Sequence, residues 1–126
     1  MYKLSKRSLD RLQGVHPDLV KVVQLAITRT PIDFGITEGL RTVERQKELV
    51  AKGASKTMNS RHITGHAIDF ACFIGKEVRW DWALYNQVGP VFEECAKELG
   101  IPIVWGGRWR SFPDGPHVEL DRRTYP

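Results

Sequence analysis

Three of the four histidines fall in two short segments that also carry carboxylates: Ser60-Arg61-His62-Ile63-Thr64-Gly65-His66-Ala67-Ile68-Asp69 and Asp114-Gly115-Pro116-His117-Val118-Glu119-Leu120. Imidazole together with carboxylate is the ligand set of catalytic zinc, which takes three protein ligands and keeps a fourth position for water. Spacing alone leaves a choice in the first segment, because either His62 or His66 could pair with Asp69. His16, the remaining histidine, directly precedes a helix start and reads as structural.

The elements that must position these groups alternate in type. From Pro17, well placed as a first helical residue, Leu19, Val22, Val23, Ala26 and Ile27 follow the spacing of an amphipathic helix that closes before Pro31. Ile32 to Thr37 reads as a short strand. Thr42 is a candidate N-cap for a second helix to about Ala51, with Gly53 just beyond, and Ala54 to Arg61 reads as a loop. A third helix covers about Trp82 to Leu99, with Tyr85, Val88, Phe92, Cys95, Ala96 and Leu99 on one face and Gly100 as its stop; Pro90 is expected to kink it or to mark its start.

Two further segments have the period of strands. Over Ala67 to Ile74 the alternation puts Ile68, Phe70, Cys72 and Ile74 on one face and Asp69 on the other, between the small residues Ala67 and Ala71. Over His117 to Leu120 it puts Val118 and Leu120 on one face and His117 with Glu119 on the other. Each strand therefore offers one apolar face and one face able to bear ligands. The expected fold class is α+β, a small antiparallel sheet with helices packed on one side.

Composition narrows the function classes without choosing among them. The chain has 126 residues, which suits one domain able to bury roughly two-thirds of the surface its unfolded form exposes. Its 19 Lys and Arg against 15 Asp and Glu give +4, with 41% hydrophobic and 27% charged residues, the balance of a globular protein. A nucleic-acid binder is not expected, since Arg108, Arg110, Arg122 and Arg123 form no basic helix or aromatic-basic platform. No apolar run of about 7 residues follows the basic N-terminus and no window approaches about 18 apolar residues, so neither a secretory signal nor membrane insertion is expected. Cys72 and Cys95 have no metal or redox spacing and read as buried small hydrophobes.

The run Ser60, His62, Gly65, Ala67, Asp69 resembles the S-x-H-x-x-G-x-A-x-D signature of the zinc D-Ala-D-Ala carboxypeptidase superfamily, whose fold is shared with the Hedgehog signalling domain. Upstream Glu38-Gly39-Leu40-Arg41-Thr42 with Gln46, and downstream Trp105-Gly106-Gly107 with Trp109, Asp114, His117 and Glu119, match the same family in the same order. Within it the chain is most similar to the L-alanyl-D-glutamate endopeptidases of phage endolysins. The resemblance implies His62, Asp69 and His117 as Zn2+ ligands, with His66 on a variable position. It implies Asp114 as catalytic acid/base and Arg41 as the cation facing the substrate carbonyl. Gln46, Ser60 and Trp109 match positions lining the substrate cleft, and Glu119 is expected to orient a ligand imidazole.

The activity implied by the resemblance is that of a zinc peptidase hydrolysing the L-Ala–D-Glu amide of the peptidoglycan stem peptide. The alternatives are a D-Ala-D-Ala carboxypeptidase or dipeptidase, and a zinc-stabilised wall-binding module without catalysis. The expected form is a monomeric catalytic domain over residues 1–126 with no separate wall-binding module. It would wait in the cytoplasm of an infected bacterium until release to the periplasm and wall. One departure from close relatives is Arg108, where they often carry Asp after Trp-Gly-Gly; it is expected to make the cleft rim more basic.

Overall fold

A computed structural model describes residues 1–55, 58 and 60–126; residues 56, 57 and 59 of the loop expected over Ala54 to Arg61 lie outside the described residues. The elements run α1 (Lys6–Arg11), α2 (Pro17–Arg29), β1 (Asp33–Glu38), α3 (Val43–Ala51), β2 (Ala67–Ile74), β3 (Glu77–Arg79), α4 (Trp82–Leu99), β4 (Ile103–Trp105), a 3-10 turn (Gly106–Arg108) and β5 (His117–Leu120). The local chemistry explains most boundaries. Thr42 caps α3 by accepting from the Arg45 N–H, His16 caps α2 by accepting from the Asp18 N–H, and Gly100 ends α4 in the left-handed conformation at φ 71°.

The sheet is antiparallel throughout, in the order β1-β2-β5-β4, with β3 added to the far half of β2. Phe34, Ile36, Ile68, Phe70, Cys72, Val118 and Leu120 of its apolar face meet Leu19, Val22, Val23 and Ile27 of α2 and Tyr85, Val88 and Phe92 of α4. Each large side chain buried there contributes about 1.5–3 kcal/mol. Both cysteines are free and fully buried within this core. Burial pushes the Cys72 thiol up to about 11, against the lowering influence of the Tyr85 hydroxyl. That hydroxyl accepts from the Cys72 N–H at 3.1 Å and donates to the Arg79 carbonyl at 2.9 Å, so it bridges paired residues of β2 and β3.

The sheet edge at β1 is covered. The Ile36 N–H donates to Ser8 Oγ at 2.9 Å and the Ile36 carbonyl accepts from Arg11 at 3.0 Å, so α1 satisfies backbone groups that an open edge would present to another chain.

Two expectations about the elements need correction, and three elements were not foreseen. Pro90 does not start α4: the helix begins at Trp82 and runs through the proline, its buried face continuing from Tyr85 to Ala96. Ile74 and Leu99, expected on core faces, are 46% and 41% exposed because each is the last residue of its element, past the reach of the opposing layer. The elements α1, β3 and β4 were not anticipated; six, three and three residues are too few to show a period.

Candidate metal centre and cleft

The ligand-bearing groups are set by sheet register. Asp69 of β2 lies opposite His117 of β5, and on its other side opposite Glu38 of β1, so three polar side chains form a row across three strands. A bulge between Ile36 and Glu38 makes this possible. Strict alternation after Phe34 and Ile36 would send Glu38 into the core; one extra residue in β1 brings it to Asp69 instead.

His62 comes from the turn before β2. Its Nδ1–H donates to the Gly39 carbonyl at 2.9 Å, which leaves Nε2 as the lone-pair nitrogen, and its own carbonyl accepts from the Arg41 N–H at 2.9 Å. Gly39 has no room for a side chain, since a Cβ there would lie 2.1 Å from the Arg11 carbonyl oxygen. His62 Nε2 is buried without a hydrogen-bond partner, 3.3 Å from Asp69 Oδ1. His117 approaches the same oxygen through Nδ1 at 3.2 Å, while its Nε2–H donates to Glu119 Oε1 at 2.9 Å.

One ligand atom each from His62, Asp69 and His117 lies within 4.8 Å of the others, so the three could hold a metal ion. The donor set fits a divalent cation: an orphaned imidazole nitrogen, a carboxylate, and a second imidazole held from behind by Glu119. His66 is outside this set, its Nδ1 on Thr64 Oγ1 at 2.6 Å and its ring 5.5 Å from that of His16.

The electrostatics follow from the crowding. Burial works to raise Asp69, but the hydrogen bond from His117 and the closeness of both imidazoles hold it well below the usual carboxylate range. Burial disfavours the His117 cation, yet hydrogen bonds to Asp69 and Glu119 raise its pKa to about 9. Burial also opposes ionisation of Glu119, but His117, Arg122 and Arg61 keep it below its ordinary value. Asp114 goes the other way: burial first, then the charge of Asp69, push it up, with the two histidines opposing.

Arg41, Gln46 and Ser60 come together. The Arg41 side chain is 10% exposed; it pairs with Glu38 through Nε and donates from one terminal nitrogen to Gln46 Oε1 at 2.8 Å and Ser60 Oγ at 3.4 Å. Gln46 is fully buried behind the arginine, with its amide nitrogen on Ser55 Oγ at 2.8 Å. Ser60 and Trp109 line a cleft of about 430 Å³ that has His117 and Glu119 on its floor, and the Trp109 ring lies 5.1 Å from that of His117.

Arg108 does not build a basic rim as expected. It pairs with Glu93 of α4 at 2.8 Å and lies over the Trp105 ring at 5.1 Å, so its charge is neutralised against the helix.

The Asp114 loop is pinned by backbone. The Asp114 N–H donates to the Gly106 carbonyl at 2.9 Å, and Trp105 Nε1–H donates to the Gly115 carbonyl at 2.7 Å. Trp105 is wedged between two glycines: a Cβ would lie 2.1 Å from its ring at Gly89 and 2.3 Å at Gly107. Gly89→Ala is therefore expected to lower stability by about 1–3 kcal/mol through overpacking, read as a lower urea midpoint at unchanged slope. An unchanged midpoint would show that the indole can move aside freely.

Sequence reasoning missed two contributors. Glu38 holds Arg41, and the signal was a charged residue in core phase after Phe34 and Ile36. Arg61, buried and donating to the carbonyls of Leu120 and Tyr125, ties the His62 turn to the C-terminal segment; nothing in its neighbours announced that.

A mixed sheet-and-helix fold with a His-Asp-His cluster at a strand pairing is the setting of a metallopeptidase, and the chain belongs to the phage L-alanyl-D-glutamate peptidase family, whose model matches residues 1–125. It is 39% identical to the L-alanyl-D-glutamate peptidase of Escherichia phage T5, over 98% of this chain and 93% of that protein. It is also 36% identical to the peptidoglycan L-alanyl-D-glutamate endopeptidase CwlK of Bacillus subtilis (strain 168), over 78% of this chain and 66% of that one. Among solved structures, the L-Ala D-Glu endopeptidase ChiX of Serratia marcescens superposes with a TM-score of 0.93 at 43% identity, covering 98% of this chain and 94% of that chain.

Proposed function

We propose that the chain is a zinc-dependent endopeptidase that hydrolyses the L-Ala–D-Glu amide of the peptidoglycan stem peptide. The observation that carries this reading is the convergence of His62 Nε2, Asp69 and His117 Nδ1 beside a pinned Asp114, in a chain whose relatives bear that activity in their names. When bound, zinc supplies Lewis-acid activation of water and of the peptide carbonyl.

The chain's own groups supply the rest. Asp114 takes the proton from the attacking water and hands it to the departing D-Glu nitrogen; its raised pKa suits a group that must both accept and return a proton. Arg41 presents a fixed cation to the developing oxyanion, with Glu38 and Gln46 holding the guanidinium so that little reorganisation is needed. Ser60 and Trp109 form the cleft surface against the peptide. Glu119 holds His117 in the tautomer that offers Nδ1.

We read the protein as a monomeric endolysin domain, kept in the host cytoplasm until release and then acting on the wall. Among the described residues no helix is long and apolar enough to cross a membrane. Digestion of muropeptides with and without chelator tests the activity. New N-terminal D-Glu that disappears with chelator is the expected result. Released D-Ala would instead identify a carboxypeptidase, and intact muropeptides a module without catalysis.

A further inference from the structure

Two tryptophans outside the cleft are exposed, and both are fixed. Trp80 is 59% exposed and lies parallel to Tyr85, with an interplanar angle of 1° and centroids 6.1 Å apart; Tyr85 is itself tied to Cys72 and Arg79. Trp82 is 47% exposed, and its ring packs so closely on Gly115 that a Cβ there would lie 3.2 Å from it. Exposed indoles give up burial free energy, and a neighbouring exposed Val78 enlarges the apolar patch.

The location is informative. Trp80 and Trp82 wall a cavity of about 230 Å³ together with Asp114 and Pro116. Trp80 also borders a larger groove of about 840 Å³, which continues over Phe73 and Val78 past Ser5, Thr37 and Lys76. An aromatic surface with a rim of hydroxyl and ammonium groups suits a saccharide, whose ring carries C–H bonds on its faces and hydroxyls on its edge. In peptidoglycan the L-Ala amine is joined through the lactyl group to muramic acid. A sugar is therefore the next unit on the acyl side of the bond that Asp114 would serve.

We propose that the Trp80–Trp82 surface and the groove beyond it bind the glycan strand, so that the sugar next to the stem peptide packs beside Asp114. This rests on the peptidase reading above, and it adds a determinant of substrate choice: the enzyme would favour peptide still attached to glycan.

Two measurements on the full, zinc-loaded chain test it. In the first, peptide-free N-acetylglucosaminyl-N-acetylmuramic acid is titrated while the indole N–H resonances are followed, assigned with W80F and W82F. Trp80 and Trp82 should shift, whereas Trp105, whose N–H is bonded to Gly115, should not. No shift at millimolar sugar, or equal shifts at every tryptophan, overturns the proposal. In the second, kcat/KM is compared for a disaccharide-linked stem peptide and for the same peptide N-acetylated but free of sugar. W80A should reduce the preference for the glycan-linked substrate about tenfold, and W80F should restore most of it. An unchanged preference, including an equal loss on both substrates, overturns it. If the unaltered protein cleaves neither substrate, the peptidase reading fails while the titration still decides the glycan surface.

Discussion

Asp114→Asn is expected to keep its zinc and lose about 10²–10⁴-fold in kcat, the contribution typical of a general acid/base group. The substitution is nearly isosteric, and the loop does not depend on the carboxylate for its shape. The Asp114 N–H is taken by Gly106, its carbonyl accepts from the His117 N–H at 3.2 Å, and Trp105 holds Gly115. An amide in the same place cannot accept a proton at neutral pH. Metal content by elemental analysis and turnover on muropeptides are the two measurements needed. A variant with full turnover would remove Asp114 from the mechanism; one that lost its metal would show that the loop supports the centre rather than the chemistry.

His117→Ala is expected to abolish zinc retention and activity together. Three protein ligands make a catalytic zinc site, and two hold the ion poorly. The loss should exceed that from Glu119→Gln, which leaves the ligand atom in place but weakens the hydrogen bond that orients it, for about a 10–100-fold loss of affinity. The ordering separates ligand from support: competition with a chromogenic chelator should rank the original chain above Glu119→Gln, and Glu119→Gln above His117→Ala. If the glutamine variant bound zinc as weakly as the alanine variant, Glu119 would be acting as more than an orienting group. His62→Ala should behave like His117→Ala, and His66→Ala like the original chain, because the His62 and His117 rings both reach Asp69 and the His66 ring lies on Thr64 instead.

Much of this was legible before any coordinates. Proline at the start of α2, a capping threonine before α3 and glycine after α4 mark helix ends through backbone chemistry that operates within a few residues. The two ligand strands were legible because their period separates apolar from polar faces. What needed the third dimension depends on pairing. Between His62 and His66, residues alone could not decide; the turn that carries both sends one ring to Asp69 and the other to Thr64 and His16. The role of Glu38 was hidden by the β1 bulge, whose one trace in the sequence is a charge in core phase and which does not say where that charge is turned. Arg108 was misread because its partner, Glu93, is 15 positions away on α4.

The close approach of Gly39 to the Arg11 carbonyl links two parts of the molecule that have no shared chemistry. The carbonyl that orients His62 belongs to a residue packed on the end of α1, and the same turn is fastened again where the His16 N–H donates to the Gly65 carbonyl at 2.8 Å. By thermodynamic reciprocity, an ion that fixes His62 would also stabilise the packing of the N-terminal segment on its turn, and that packing would strengthen the affinity for the ion by the same factor. The N-terminal segment is thus coupled to the metal centre through backbone packing alone, and a truncation there is expected to weaken metal binding as well as the fold.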